Sequence, residues 1–373
     1  MATRRQPLRL LADDITGALD SAAAFASPSQ PIPVHWRGKV PARGAIAIDS
    51  QSREASPECA QALVRQIAPA LWAPGAGLAF KKIDSLLRGQ EASELAAVLD
   101  LLRTTHCIIA PAFPAQLRIT RAGRQYVCSG DRCQIAPADI AGDLARAGHY
   151  VTLARPGDCL PPGVSLWDAE TDADLDAVVA TAEDQEVLWV GAGGLAAALA
   201  RAAGLERSAV PASLPYPVLG LIGSEHTATR AQLTKLGPAH QQLNDASTEG
   251  GEIRNRLAKH GVVFVTVDLP RGTGRLVAAA HIKRLFAALL AILDRPGTLV
   301  VAGGETLRGI CEALGADSLE VTGDIVPGVP RSIMRGGRWD SLSVVSKSGA
   351  FGGPDLLAQL LQSAPSTRAG AAA

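Results

Sequence analysis

The sequence lacks any net charge: 36 lysines and arginines face 36 aspartates and glutamates. That balance gives no electrostatic reason to expect nucleic acid or an anionic membrane as a partner, so an anion site has to come from local geometry. It also lacks a CxxC pair. Cys59, Cys107, Cys128, Cys133, Cys159 and Cys311 are scattered, and no histidine stands at metal-ligand spacing from the closest two, Cys128 and Cys133. All six are read as structural thiols. The seven histidines form no HExxH or HxH pattern, which leaves a metallohydrolase without support, and the absence of GxSxG removes a nucleophile elbow. No apolar run reaches the roughly 20 residues of a membrane span. The opening MATRRQPLRLLADD has two arginines but no apolar stretch of the kind that a signal peptide carries. The expected address is the cytoplasm.

What is present is enough apolar sequence for more than one core. With 373 residues, 47% hydrophobic and 19% charged, the chain suits two domains. Short apolar runs (LRLLA, GAIAID, GLAFKKID, CIIAPA, VSLWD, EVLWVG) alternate with helical patterns such as SPECAQALVRQI and ASELAAVLDLL. Strand alternating with helix predicts an α/β fold: two domains, each a mostly parallel sheet with helices on both faces, and the active site in the crevice between them. The first domain is expected over residues 1–205. From Glu206 to Pro217 three prolines interrupt the periodicity, which makes 206–216 a linker. The pattern restarts over 217–362, and the small, polar residues 363–373 form a tail. PAFPAQLRITRAGRQYV is read as a loop.

Chemistry-bearing residues gather at predicted strand ends. LRLLA runs into Asp13 and Asp14, and Thr16-Gly17 opens a helix. One aspartate suffices as a helix cap. The second is surplus, and a carboxylate there can take a proton from a hydroxyl or hold Mg²⁺. AIDSQSRE places Ser52 and Arg53 past another strand, and FKKIDSLLRG places Lys81, Lys82, Asp84, Ser85 and Arg88 past a third. Charge runs are commonly solvated loops. Here they follow strands of one predicted sheet, where lysine and arginine can hold a carboxylate while Asp84 and Ser85 bond hydroxyls. In the second half, three strands run into glycine-containing loops followed by helices, at Gly223-Ser224, at Gly303-Gly304-Glu305-Thr306 and at Lys347-Ser348-Gly349. Glycine at a helix N-terminus lets unpaired N–H groups approach a phosphate, although it serves tight turns as well. None matches GxxxxGK[ST] or GxGxxG, so this is neither a P-loop nor the usual dinucleotide fingerprint.

Taken together these segments resemble the four-carbon acid sugar kinase family. ADDITGALD is similar to its ADDxTGA opening, AIDSQSR to TxSR, KKIDSLLRG to KxDSTLRG, and APAFPAQLRIT to APAFPxxGRxT. GSEHTATRAQ resembles its G-S-x-S-xxTxxQ element, AGGETLRGICEALG its GGDT helix, and PGVPRS and VSKSGAFGGPDLL its closing motifs. The likeness runs from about Leu8 to Leu361. It implies transfer of the ATP γ-phosphate, with Mg²⁺, to a hydroxyl of an acid such as threonate, erythronate or a 3-oxo-tetronate. The positions it implies for the acid are Asp13, Asp14, Arg53, Lys82, Asp84 and Ser85, with Arg88 beside them. Those for the nucleotide are Ser224, Gly303, Gly304, Glu305, Thr306 and Gly349, with Lys347 and Ser348 adjacent. In that scheme the acid's carboxylate docks on Arg53 and Lys82, Asp14 or Asp13 takes the hydroxyl proton, and the domains close over the reactants. Metal ligands are not assigned, and a homo-oligomer stays open. The chain departs from the family pattern at Glu225, His226, Glu305, Leu86 and Leu117. The departures at Glu225 and His226 could weaken nucleotide contacts. Two rivals stand beside the kinase: a sugar-acid sensor without catalysis, and a dehydrogenase of small hydroxy acids.

Overall fold

Leu8–Ala12 is buried at all of its positions, the pattern of a strand covered on both faces. A computed structural model describes residues 6–102, 104–130, 132–183, 185–205, 213–269 and 272–362. Linker residues 206–212 and the tail 363–373 lie outside the described residues. The chain divides into two compact units, Met1–Ser208 with Glu320–Pro327, and Ala209–Leu319 with Gly328–Ala373. Glu320–Pro327, expected in the second domain, therefore groups with the first unit.

The first unit contains strands β1 (Leu8–Ala12), β2 (Ile32–His35), β3 (Ile46–Asp49), β4 (Leu78–Lys82), β5 (His106–Ala110), β6 (Arg118–Arg121), β7 (Arg124–Ser129), β8 (Arg132–Ile135), β9 (Val151–Ala154), β10 (Gly163–Trp167) and β11 (Val187–Gly191). Its helices are α1 (Ile15–Ala23), α2 (Pro57–Leu71), α3 (Glu91–Leu101), α4 (Ile140–Arg146), α5 (Asp172–Ala180) and α6 (Gly193–Ala202). Eight strands pair in the order β2-β3-β1-β4-β11-β5-β10-β9, every pair parallel. Helix α2 shows why such a sequence covers a sheet. Ser56 caps it by accepting the Cys59 N–H, Pro57 sits in its first turn, and Ala60, Val64, Ala68 and Leu71 form one buried stripe. Burying Val64 or Leu71 contributes about 1.5–3 kcal/mol each, so Val64→Asp would undo this packing.

The segment read as a loop, PAFPAQLRITRAGRQYV, is instead a 3₁₀ turn followed by β6 and β7, which join β8 in a three-stranded antiparallel sheet. Arg121 pairs with Arg124 across a two-residue turn, Ala122-Gly123, with both φ angles positive. The reading of all cysteines as thiols also needs correction. Cys128 and Cys133 are register partners on β7 and β8 and form a disulfide, while Cys59, Cys107, Cys159 and Cys311 are free. Without the hairpin, only metal-ligand spacing could be weighed for that pair.

The second unit contributes β12 (Val218–Ile222), β13 (His240–Leu243), β14 (Val262–Val267), β15 (Thr298–Ala302), β16 (Ser318–Val326, mostly within the segment that groups with the first unit), β17 (Val329–Arg335) and β18 (Ser343–Lys347). Its helices are α7 (Thr227–Thr234), α8 (Ala246–His260), α9 (Arg275–Ile292), α10 (Gly304–Leu314) and α11 (Leu356–Gln362). Strands run β13-β14-β12-β15-β18-β17, with only the last pair antiparallel. Among the described residues no helix is long and apolar enough to cross a membrane.

Candidate active site

In the first sheet the chain leaves β1 for β2 and β3 on one side and reaches β4 on the other. The end of β1 is thus a topological switch point, where a parallel sheet opens a crevice. Ala12 stands level with Asp49 of β3 and Lys82 of β4. Asp13, Asp14, Arg53, Lys82, Asp84 and Ser85 therefore meet there.

Asp14 is the cap of α1. It accepts from the Gly17 N–H at 2.9 Å and from the Thr16 hydroxyl at 2.6 Å. Asp13, the surplus carboxylate, is 2% exposed. Arg53 lies between the two. Its Nε and Nη2 donate to Asp13 at 2.6 and 2.9 Å, and its Nη1 and Nη2 to Asp14 at 2.7 and 2.9 Å. Asp84 is 3.7 Å from Arg53 and receives two bonds from the Arg88 guanidinium, at 2.6 and 2.8 Å, and a third from the Arg88 backbone N–H at 3.2 Å. The Nζ of Lys82 donates to the Ile83 carbonyl at 2.8 Å.

Charge decides the protonation of this cluster. Burial alone would raise the pKa of Asp13, but the charge and hydrogen bonds of Arg53, with Lys82 and Lys81 behind, bring it below the usual carboxylate range. Burial opposes ionisation of Asp84 as well, yet its bond from Arg88 and the Arg53 charge hold it well below that range. Burial works against the Arg53 cation too, and the charges of Asp13, Asp14 and Asp84 outweigh it. Glu91 behaves oppositely: burial, and after it the charge of Asp13, pushes its carboxyl up to about 7. Beneath the cluster Lys81 and Glu94 form a fully buried ion pair at 2.6 Å, and Lys81 donates to the Lys82 carbonyl at 3.0 Å.

The second unit repeats the arrangement. The chain leaves β12 for β13 and β14 on one side and reaches β15 and β18 on the other. Ile222, Ala302 and Lys347 stand level at the ends of three adjacent parallel strands. Their glycine loops consequently lie side by side. Gly303 has φ 110°, which side chains rarely adopt, and it precedes the first turn of α10 with Glu305 and Thr306. A Cβ on Gly349 would lie 2.0 Å from the Ser224 hydroxyl, so those two loops touch. The third loop is stapled to α7. Thr229 donates to the Gly349 carbonyl at 2.7 Å, and the Gln232 amide nitrogen lies 3.0–3.1 Å from the carbonyls of Phe351, Gly352 and Gly353. Lys347 is buried and donates to Thr229 at 3.0 Å, and burial lowers its pKa to about 8.

The predicted acid positions thus come together, with Arg53 and Arg88 already committed to carboxylates. Ser224, Gly303 to Thr306 and Gly349 are brought together likewise, whereas the Lys347 ammonium faces Thr229. Glu225 pairs with Arg230 on the surface, and His226 caps α7 through its Nδ1 while its Cβ lies against the Gly349 loop. Glu305 pairs with Arg275 at 2.7 Å. Sequence reasoning missed Glu91, Gln125 and the Thr229–Gln232 staple. Thr229 and Gln232 are the T and Q of the G-S-x-S-xxTxxQ likeness and share one helix face at i, i+3, but nothing in the sequence tied them to the Gly349–Gly353 loop.

Residues 8–143 match a sugar-binding N-terminal domain, and residues 219–357 match a nucleotide-binding C-terminal domain. A D-threonate kinase of Bordetella bronchiseptica is 30% identical, over 95% of this chain and 96% of its own length. One from Cupriavidus necator is 31% identical over 96% and 98%. A 3-oxo-tetronate kinase of Methylobacterium radiotolerans is 28% identical over 95% and 98%. Among solved structures, a protein of Salmonella typhimurium LT2 shares the fold with a TM-score of 0.71 at 20% identity, covering 94% of this chain and 97% of that one. A Haemophilus influenzae protein does so at 0.67, also with 20% identity, covering 95% and 99%. The chain belongs to the four-carbon acid sugar kinase family.

Proposed function

We propose that the protein is an ATP-dependent kinase that phosphorylates a hydroxyl of a four-carbon sugar acid such as D-threonate, D-erythronate or a 3-oxo-tetronate. One observation carries this reading. The parallel strands of each unit end in a cluster of chemistry at their switch point, carboxylates and cations in the first unit and glycine loops in the second. The acid lies against Lys82, Asp84 and Ser85. Asp14 takes the hydroxyl proton, because it is 17% exposed while Asp13 is 2% exposed. Arg53 holds both carboxylates in place through four hydrogen bonds that it donates to their oxygens. The N–H groups opening α10, with Ser224 and Gly349, bind the phosphates, and Lys347 and Gln232 hold the loop that shapes this cradle.

Among the described residues no three His, Cys, Asp or Glu side chains form a metal cage. An ion that arrives on nucleotide phosphates needs only one or two carboxylates beside water, and Glu305 in the first turn of α10 fits that demand. Bound Mg²⁺ would neutralise charge on the phosphates. Use of ATP makes the cytoplasm the natural address.

The test is a coupled ADP-release assay over a panel of C4 and C5 sugar acids. ADP release that depends on a C4 acid is the expected result. ATP turnover indifferent to every acid, or hydride transfer to a nicotinamide instead, would remove the reading.

A further inference from the structure

The planar forks of the acid cluster are already engaged. Arg53 makes four bonds to Asp13 and Asp14, and Arg88 makes two to Asp84. Asp13, Asp14 and Asp84 balance Arg53, Arg88 and Lys82 in charge, and Glu91 carries only part of a charge near neutrality. A substrate carboxylate needs a cation beyond that balance.

Arg118 on β6 is such a cation. The β6–β7 hairpin is tied to the acid cluster by Gln125, which is 1% exposed. Its amide donates to the Ser85 carbonyl at 2.8 Å, and its oxygen accepts from the Thr120 hydroxyl at 2.8 Å. Arg118 and Thr120 share one face of β6 because strand side chains alternate. That face therefore points toward Ser85. Burial lowers the pKa of Arg118, and it feels the charges of Asp84 and Arg88. Its guanidinium has little else to do. Nη1 donates to the Gln116 carbonyl, and Nε is buried with no hydrogen-bond partner among the described residues. A buried donor without an acceptor is costly, and a carboxylate is the acceptor that fits a guanidinium fork.

We infer that Arg118 is a specificity-determining residue that anchors the carboxylate of the sugar acid, at the edge of the cluster whose Lys82, Asp84 and Ser85 meet the hydroxyls. This rests on the sugar-acid reading above. Anchoring the carboxylate on the hairpin leaves the hydroxyl end of a four-carbon chain to face Asp14, so Arg118 would also set which hydroxyl is presented.

The experiment compares the intact protein with Arg118→Ala and Arg118→Lys. Binding of D-threonate and D-erythronate is measured by calorimetry without ATP. The ratio of kcat/KM for each acid to that for its amide is measured by ADP release. Arg118→Ala should weaken acid binding about 10- to 100-fold, cut the acid-to-amide ratio by a similar factor, and leave KM for ATP unchanged. Arg118→Lys, which keeps the charge without the fork, should fall between, and it serves if the alanine variant does not fold. Unchanged acid binding would overturn the inference, as would equal losses for acid and amide, or a wild type that binds neither acid. If the wild type binds an acid but releases no ADP, the kinase reading fails while the shift in binding still decides the role of Arg118.

Discussion

Asp13 is 2% exposed and takes two of the four Arg53 bonds. Truncating Arg53 to alanine leaves that carboxylate buried without a partner, which should cost about 3–5 kcal/mol in denaturant unfolding at pH 7. The sign with pH follows. Asp13 and Asp84 are depressed in the folded state, so their contribution is present above about pH 4 and is lost as pH falls through their folded values. Arg53→Ala should flatten that acid limb, and an unchanged limb would mean that stability is linked elsewhere. Glu91 has the opposite sign. Its folded value is raised to about 7, so its ionisation opposes folding increasingly from about pH 4.5 up to 7 and by a constant amount above. Glu91→Gln should be neutral at pH 4 and stabilise by up to about 3 kcal/mol at pH 8; equal effects at both would count against it. For catalysis, Asp14→Asn should lower kcat by about 10² to 10⁴-fold with a smaller change in acid binding. Near-normal kcat on the true substrate would end the proton-acceptor role. Asp13 and Asp14 were legible as a pair because capping needs one carboxylate. Their sharing of Arg53 was not, since 39 and 40 residues separate them.

At the scale of elements, buried parallel strands announced themselves as unbroken apolar runs, and β1, β11, β12 and β15 formed where the pattern placed them. The β6–β7 hairpin did not, because Leu117 and Ala122 take positive φ angles where glycine or asparagine is usual. Leu117 has φ 58° and is 55% exposed, so its side chain gains little there and strains the backbone. Leu117→Gly should leave stability unchanged or raise it by up to about 1 kcal/mol, whereas a larger loss in thermal unfolding would show that Leu117 packs. The staple from α7 gives a second element-level expectation. Gln232→Leu frees the Phe351–Gly353 carbonyls and should raise KM for ATP about 10-fold while acid affinity stays as it was. Loss of both together would mean general damage to the protein.

On the scale of the whole molecule, neither half of the chain is a complete unit, since Glu320–Pro327 groups with Met1–Ser208. Residues 1–208 expressed alone should therefore melt at a lower temperature than the same fragment with 320–327 appended through a flexible linker. Identical melting curves would show that the strand residues add nothing. The sequence by itself determined the class of fold, the positions of its buried strands, and the residue types held at the strand ends. Local patterns suffice for these, because apolar runs, caps and glycine loops act over a few residues. Tertiary structure alone decided that Arg53 serves Asp13 and Asp14, that Gln125 brings Arg118 toward the acid cluster, that Gln232 holds a loop about 120 residues away, and that one strand segment changes units. Each depends on strand order and register, which set distances between residues far apart in the chain and leave no periodic trace in it.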